Sequence, residues 1–275
     1  MSCKTIMVHV ELARSNHHLA AIAGDLAERL NADIIGIAAC QPVKPIYDEA
    51  FTDGEVVVAN RMEIDRELKV AKAAFRRDLA PHCTPEWRGA VTYLSLSDYI
   101  ARQARAADLV ITGPDIGGVI LDSTHRVNIA DLVMEAGRPV LIVPRKCKSL
   151  PLKNALVAWK NTREARRALH DALPILQICE QVHVAAVAPE AEFERARQEL
   201  SDVVRWLAKH DVAASHDVYD AHGPDSSRLA EISADLGADL VVAGAYGHSR
   251  LQEWLLGGVT YDLLLNPKRC VLVSH

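Results

Sequence analysis

Two stretches, AADLVITGP at 106–114 and GADLVVAGA at 237–245, stand 131 residues apart and decide how the chain is built. Five of the seven residues from Ala107 to Gly113 recur unchanged from Ala238 to Gly244. The same offset runs without gaps to RPVLIVP (138–144) and RCVLVSH (269–275). A second match, KTIMVHVE (4–11) with KNALVAWK (153–160), has an offset of 149. Shared α/β periodicity alone does not sustain an ungapped match over roughly forty residues, so the chain is read as a tandem duplication. The offsets differ by 18, which places about that many extra residues within 41–95 of the first copy, where a charged helix is expected near 56–80. The length of 275 residues agrees with two domains at roughly 100–200 residues each. Their expected bounds are 1–145 and 152–275, joined by the basic, Pro151-containing RKCKSLPL (145–152).

Each copy alternates strands with helices of roughly 10–15 residues. In the second copy, strands are predicted near 154–159, 182–187, 215–219, 239–243 and 270–274. Helices are predicted near 163–178, 190–209, 226–236 and 258–265. Strands such as DLVVA and NALVAW are short and continuously apolar, as strands covered on both faces must be. The fold class is therefore α/β: two tandem doubly wound domains, each a five-stranded parallel sheet with helices on both faces.

The richest stretch for function is VVAGAYGHSRLQEWLLGGVTYDLLLNP (241–267). Gly244 ends a strand, Gly247 follows after two residues, and nine more separate it from Gly257 and Gly258. In an open parallel sheet, ligands bind beyond the carboxyl ends of the strands, where glycine lets backbone approach closely. A helix opening at Gly258 would aim the N–H groups of Gly258, Val259 and Thr260 at that crevice, favouring an anion. The Thr260 hydroxyl adds a donor, and His248, Ser249 and Arg250 lie on the intervening loop. A purely structural turn fits the same spacing, and spacing alone weighs the two readings about equally. No GK[ST] follows, and the loop is not a G-x-G-x-x-G dinucleotide turn.

Gly244-x2-Gly247-x9-Gly257 resembles the G-x2-G-x9-G-[ST] signature of the universal stress protein family, and both copies fit the family layout. The resemblance implies adenine-nucleotide binding, as in many members: ATP or AMP, with Mg accompanying ATP. It assigns phosphate and ribose to Gly244, Gly247, Gly257, Gly258, Val259 and Thr260, and sets Val187 against the adenine. The acid that nucleotide-binding members carry after the first strand falls at Lys160 in the second copy, reversing the charge, and Gly258 replaces the signature Ser or Thr. The first copy keeps the acid as Glu11 but has Ile116, Arg126 and Val127 where the second has Gly247, Gly257 and Gly258. Any nucleotide is thus expected in the second copy only.

Other patterns point nowhere in particular. HGPDSS (222–227) lacks the partners of a pyrophosphatase or nucleotidyl-transferase motif, and Asp225 or Ser226 is expected to cap the next helix. His17-His18 and His82-Cys83 lack further ligands and read as solvent-exposed, so no metal is expected. No nucleophile has a base nearby in sequence, and no base for more than slow ATP hydrolysis is evident. Trp87, Trp159, Trp206 and Trp254 read as core or interface residues. A net charge of −5 disfavours nucleic acid and anionic membrane as partners. The scattered cysteines and the absence of a leader or membrane segment suggest a reduced, cytoplasmic setting. The apolar end strands 138–144 and 269–275 need cover. The family resemblance has them meet across a pseudo-two-fold axis as a built-in dimer, and a homodimer is compatible with it. The expected function is a stress-response nucleotide-binding module; the alternative is a scaffold without nucleotide, or a binder of another small ligand.

Overall fold

The computed structural model describes residues 2–42, 53–79, 84–114, 123–221, 225–245 and 268–275. The first half runs β1 (Thr5–His9), α1 (His17–Leu30), β2 (Asp33–Cys40), α2 (Asp53–Asp78), β3 (Glu86–Val91), α3 (Leu96–Gln103), β4 (Leu109–Thr112), α4 (Ile129–Glu135) and β5 (Val140–Ile142). The second half runs β6 (Asn154–Ala158), α5 (Arg163–Leu176), β7 (Gln181–Ala188), α6 (Phe193–Ala208), β8 (Ala214–Asp220), α7 (Asp225–Asp235), β9 (Leu240–Gly244) and β10 (Cys270–Ser274). The helix expected near 258–265 lies outside the described residues. Part of the extra length of the first copy is visible in α2, whose 26 residues exceed the 16 of its counterpart α6 by ten.

All ten strands form one sheet in the order β3-β2-β1-β4-β5-β10-β9-β6-β7-β8. Pairing within each half is parallel throughout. The halves join where β5 meets β10 antiparallel, with Leu141 opposite Leu272. Every residue of β5 and β10 is buried, so the apolar stretches that would be hazardous as free edges lie at the centre of the sheet. The true edges, β3 and β8, carry polar residues such as Glu86, Arg88 and Asp217 and are half-exposed.

Helices cover both faces. α1, α2, α5 and α6 enclose one core that runs through both halves, from Leu19 and Phe75 to Leu169 and Leu200. α3, α4 and α7 enclose the other, with Ile100, Leu132 and Ile232 against Met7, Val110 and Val241. Gly137 and Gly237, both at φ +57°, sit in left-handed turns that end α4 and α7, where a side chain would be strained.

Candidate functional site

A doubly wound sheet opens a crevice where the chain reverses its direction of strand addition. In the second half that point lies between β6 and β9, and in the first between β1 and β4. Gly244, the last residue of β9, therefore flanks the second crevice, and Lys160, just after β6, lies exposed beside it. Lys160 makes no ion pair among the described residues. Val187 is half-buried at the end of β7, opposite Tyr219 of β8 and one strand out from the reversal point. Gly247, His248, Ser249, Arg250, Gly257, Gly258, Val259 and Thr260 lie outside the described residues.

Gly244 has a packing reason to be glycine. A Cβ there would stand 2.4 Å from the Ala165 nitrogen and 2.5 Å from the Glu164 carbonyl carbon, so the start of α5 rests directly on this backbone. Thr162 caps that helix, its hydroxyl accepting from Ala165 N–H at 3.3 Å. Glu164, which sequence reasoning passed over, is buried in the first turn and paired with Arg163 at 2.9 Å. Burial pushes its pKa up, but backbone N–H groups, Arg163 and Thr162 outweigh that and hold it below the usual carboxylate value. Next to Gly244, Ala245 N–H donates to the Ser274 carbonyl at 2.9 Å, and His275 Nδ1 hydrogen-bonds the Ala245 carbonyl at 3.1 Å.

At the first crevice the described side chains pair with one another. His9 Nδ1 and Thr112 Oγ1 meet at 3.0 Å where β1 and β4 end. Burial lowers the His9 pKa, with nearby Glu11 opposing, which favours the neutral ring. The Glu11 carboxylate, the acid that the resemblance would set beside an adenine, pairs with Arg145 at 2.8 Å and Arg14 at 3.2 Å. Val127, aligned with Gly258, is a buried core residue rather than part of an open loop. His18 corrects the expectation of exposed histidines: it is half-buried, its Nε2 has no hydrogen-bond partner among the described residues, and burial first, then Arg145, lowers its pKa. Its neighbour His17 is exposed, within 3.7 Å of Asp78.

Three further groupings emerge. Cys40 Sγ lies 3.3 Å from His125 Nε2, a nucleophile–base contact invisible in sequence because 85 residues separate the two. Glu67 meets the same Nε2 at 3.2 Å, leaving it no orienting role at Nδ1, and Cys40 is buried, so the grouping ties α2 to the end of β2 without forming a catalytic relay. A cavity of about 450 Å³ lies between α5 and α6, lined by Trp159, Trp206, Leu169 and Val203 with Arg166, Glu199 and Asp202 among its polar groups. Trp87, by contrast, packs on Phe75 at 6.1 Å between ring centres. Finally, α7 begins at Asp225, one residue before its expected start near 226. No metal-binding cluster and no helix long and apolar enough to cross a membrane occur among the described residues.

The model of the universal stress protein family matches residues 151–275. Across both halves the fold is similar to that of a universal stress protein from Archaeoglobus fulgidus, with TM-score 0.71 and 12% identity over 98% of this chain and 95% of that one. It is also similar to a functionally unknown protein from Pseudomonas aeruginosa, with TM-score 0.61 and 16% identity over 99% and 92% of the two chains. The chain thus has the architecture of a tandem universal stress protein, two such halves fused in one sheet. No curated protein matches it.

Proposed function

We propose that the chain is a stress-response module that binds an adenine nucleotide, ATP or AMP, in its second half (152–275) and keeps its first half (1–145) as a structural partner. The observation that carries this reading is the position of Gly244: the G-x2-G-x9-G spacing starts at the carboxyl end of β9, at the reversal point of a universal stress protein domain. The peptide N–H groups of Gly258, Val259 and Thr260 would receive phosphate, and Val187 would border the base. Mg would accompany ATP on its phosphates. The first half is a poor host because Glu11 is committed to Arg14 and Arg145 and Val127 is core. The antiparallel β5–β10 contact supports reading the chain as an intramolecular pseudo-dimer.

A second reading, a scaffold without nucleotide, is favoured by one specific observation: the contact of α5 backbone on Gly244 explains that glycine without any ligand. Mass spectrometry of nucleotides released from the purified protein separates the two, together with melting curves in AMP and Mg-ATP. Binding raises the melting temperature in proportion to the logarithm of free ligand, and Gly247→Trp should abolish the rise. No copurified nucleotide and no shift at millimolar ligand would leave the scaffold standing.

A further inference from the structure

The linker between the halves makes a tight turn immediately after β5, with Cys147 N–H bonded to the Pro144 carbonyl at 2.9 Å. Because β5 and β10 are antiparallel, that turn lands beside the first residue of β10, Cys270. The two sulfurs, 123 residues apart in sequence, come within 3.5 Å. Cys147 is half-buried on the linker, while Cys270 is fully buried in the strand. One thiol is therefore reachable on the turn outside the sheet, and the other is fixed beneath it.

The pair is chemically uneven. The hydrogen bond from Cys270 lowers the pKa of Cys147 to about 7, outweighing burial, while Cys270 is pushed up. Thiolate, not thiol, is the nucleophile, so Cys147 is substantially ionised at neutral pH. Burial instead raises Cys3 to about 11 and Cys179 to about 12, which keeps them inert.

We propose that Cys147 and Cys270 are a peroxide-oxidisable thiol pair, Cys147 reacting first and Cys270 closing the disulfide. The Cys147 thiolate attacks one oxygen of hydrogen peroxide. The O–O bond breaks, hydroxide leaves and takes up a proton as water, and Cys147 becomes a sulfenic acid. The Cys270 sulfur then attacks the Cys147 sulfur, the S–O bond breaks, and the departing hydroxide takes the Cys270 proton as a second water. Two electrons pass from the thiols to peroxide, giving one disulfide and two waters. The sulfurs must close by about 1.5 Å, from 3.5 Å to ~2.05 Å, to form the bond. The new bond cross-links the linker to the last strand across a loop of over a hundred residues, which constrains the unfolded chain and raises thermal stability.

The test uses the full chain, reduced, desalted and treated with hydrogen peroxide. Of its six cysteines, two should become unavailable to a thiol reagent in denaturant, and peptide mapping should find Cys147 joined to Cys270. Alkylation of Cys147 should rise with pH about a midpoint near 7. Cys147→Ser should keep Cys270 as a thiol under peroxide. Cys270→Ala should stop Cys147 at a sulfenic acid that dimedone traps; should that variant fail to fold, the wild-type map and Cys147→Ser still decide. Both thiols surviving excess peroxide, a different pair joining first, or Cys147 passing to sulfinic acid in the wild type beside a free Cys270 would each overturn the assignment.

Discussion

Replacing Gly244 with alanine isolates the contact on which the second crevice is built. The added Cβ would stand 2.4 Å from Ala165 N and 2.5 Å from Glu164 C, against ~3.5–4.0 Å for comfortable contact. Both neighbours are helix backbone, so no side chain can swing aside; α5 must back away from β9 by about 1 Å or the strand must bend. Overpacking of well-filled sites costs about 1–3 kcal/mol, and a backbone-on-backbone clash belongs at the upper end, near 3 kcal/mol. Gly137 supplies the control. It has φ +57° and nothing within 4 Å of a built Cβ, so Gly137→Ala meets only the left-handed strain of about 1 kcal/mol. Urea unfolding followed by circular dichroism should show Gly244→Ala weaker than Gly137→Ala by about 2 kcal/mol at unchanged m. The corresponding melting shifts are roughly 6–12 °C and 2–4 °C. Equal losses in the two variants would refute the reasoning, because they would mean that glycine at 244 answers to backbone conformation or to a ligand and not to α5.

Other perturbations should give equally readable outcomes. His9, His18 and His183 all have pKa values lowered chiefly by burial, so the unfolded chain takes protons that the folded one resists. Stability should therefore be full above about pH 6.5 and fall as pH drops below it, and His9→Gln should flatten that fall in urea titrations. Glu164, held below its ordinary value of 4.5, contributes stability above that pH and loses it as pH falls through its folded value. Glu164→Gln should weaken the protein at neutral pH and narrow its difference from wild type in acid. Arg29→Ala removes donors to the carbonyls of Leu150, Pro151 and Ile178 at 3.5, 3.3 and 3.0 Å, and should cost roughly 1–2 kcal/mol in the same unfolding assay.

The fold was legible because its signals are local. DLVITG and DLVVAG each carry a buried strand and the residue at its carboxyl end, and repetition turned one reading into two. Strand bounds in the second half fall within a residue of their expected places; α6 starts later than expected because a 3-10 turn at Glu190–Glu192 precedes it. What stayed hidden depends on contacts distant in sequence. Cys40 with His125, Glu11 with Arg145 and Cys147 with Cys270 are each brought together by strand order, which no spacing encodes. Glu164 had a faint signal, an acid in the first turn after a threonine cap, but that pattern is common and marks a helix start more often than a buried carboxylate.

Strand direction also separates what the two halves can do. β5 and β10 run antiparallel, so the carboxyl edge of the first half and that of the second face opposite sides of the sheet. The linker leaves from the first of these edges, where Arg145 reaches Glu11, and two residues later Cys147 meets the start of β10. Gly244 pairs in register with Ser274, four residues along β10 from Cys270 and therefore about 13 Å away at strand rise. A disulfide at the thiol pair consequently pulls on the segment whose Arg145 pairs with Glu11 beside the first crevice, while the second crevice lies at the far end of a buried strand. Oxidation and nucleotide occupancy are thus expected to act independently: peroxide treatment should change the reactivity or protection of 145–152 and leave the melting shift induced by AMP or Mg-ATP within error of that of the reduced chain. A shift that differs between the two redox states would mean that β10 transmits strain along its length, and the two halves would then have to be read as one coupled device.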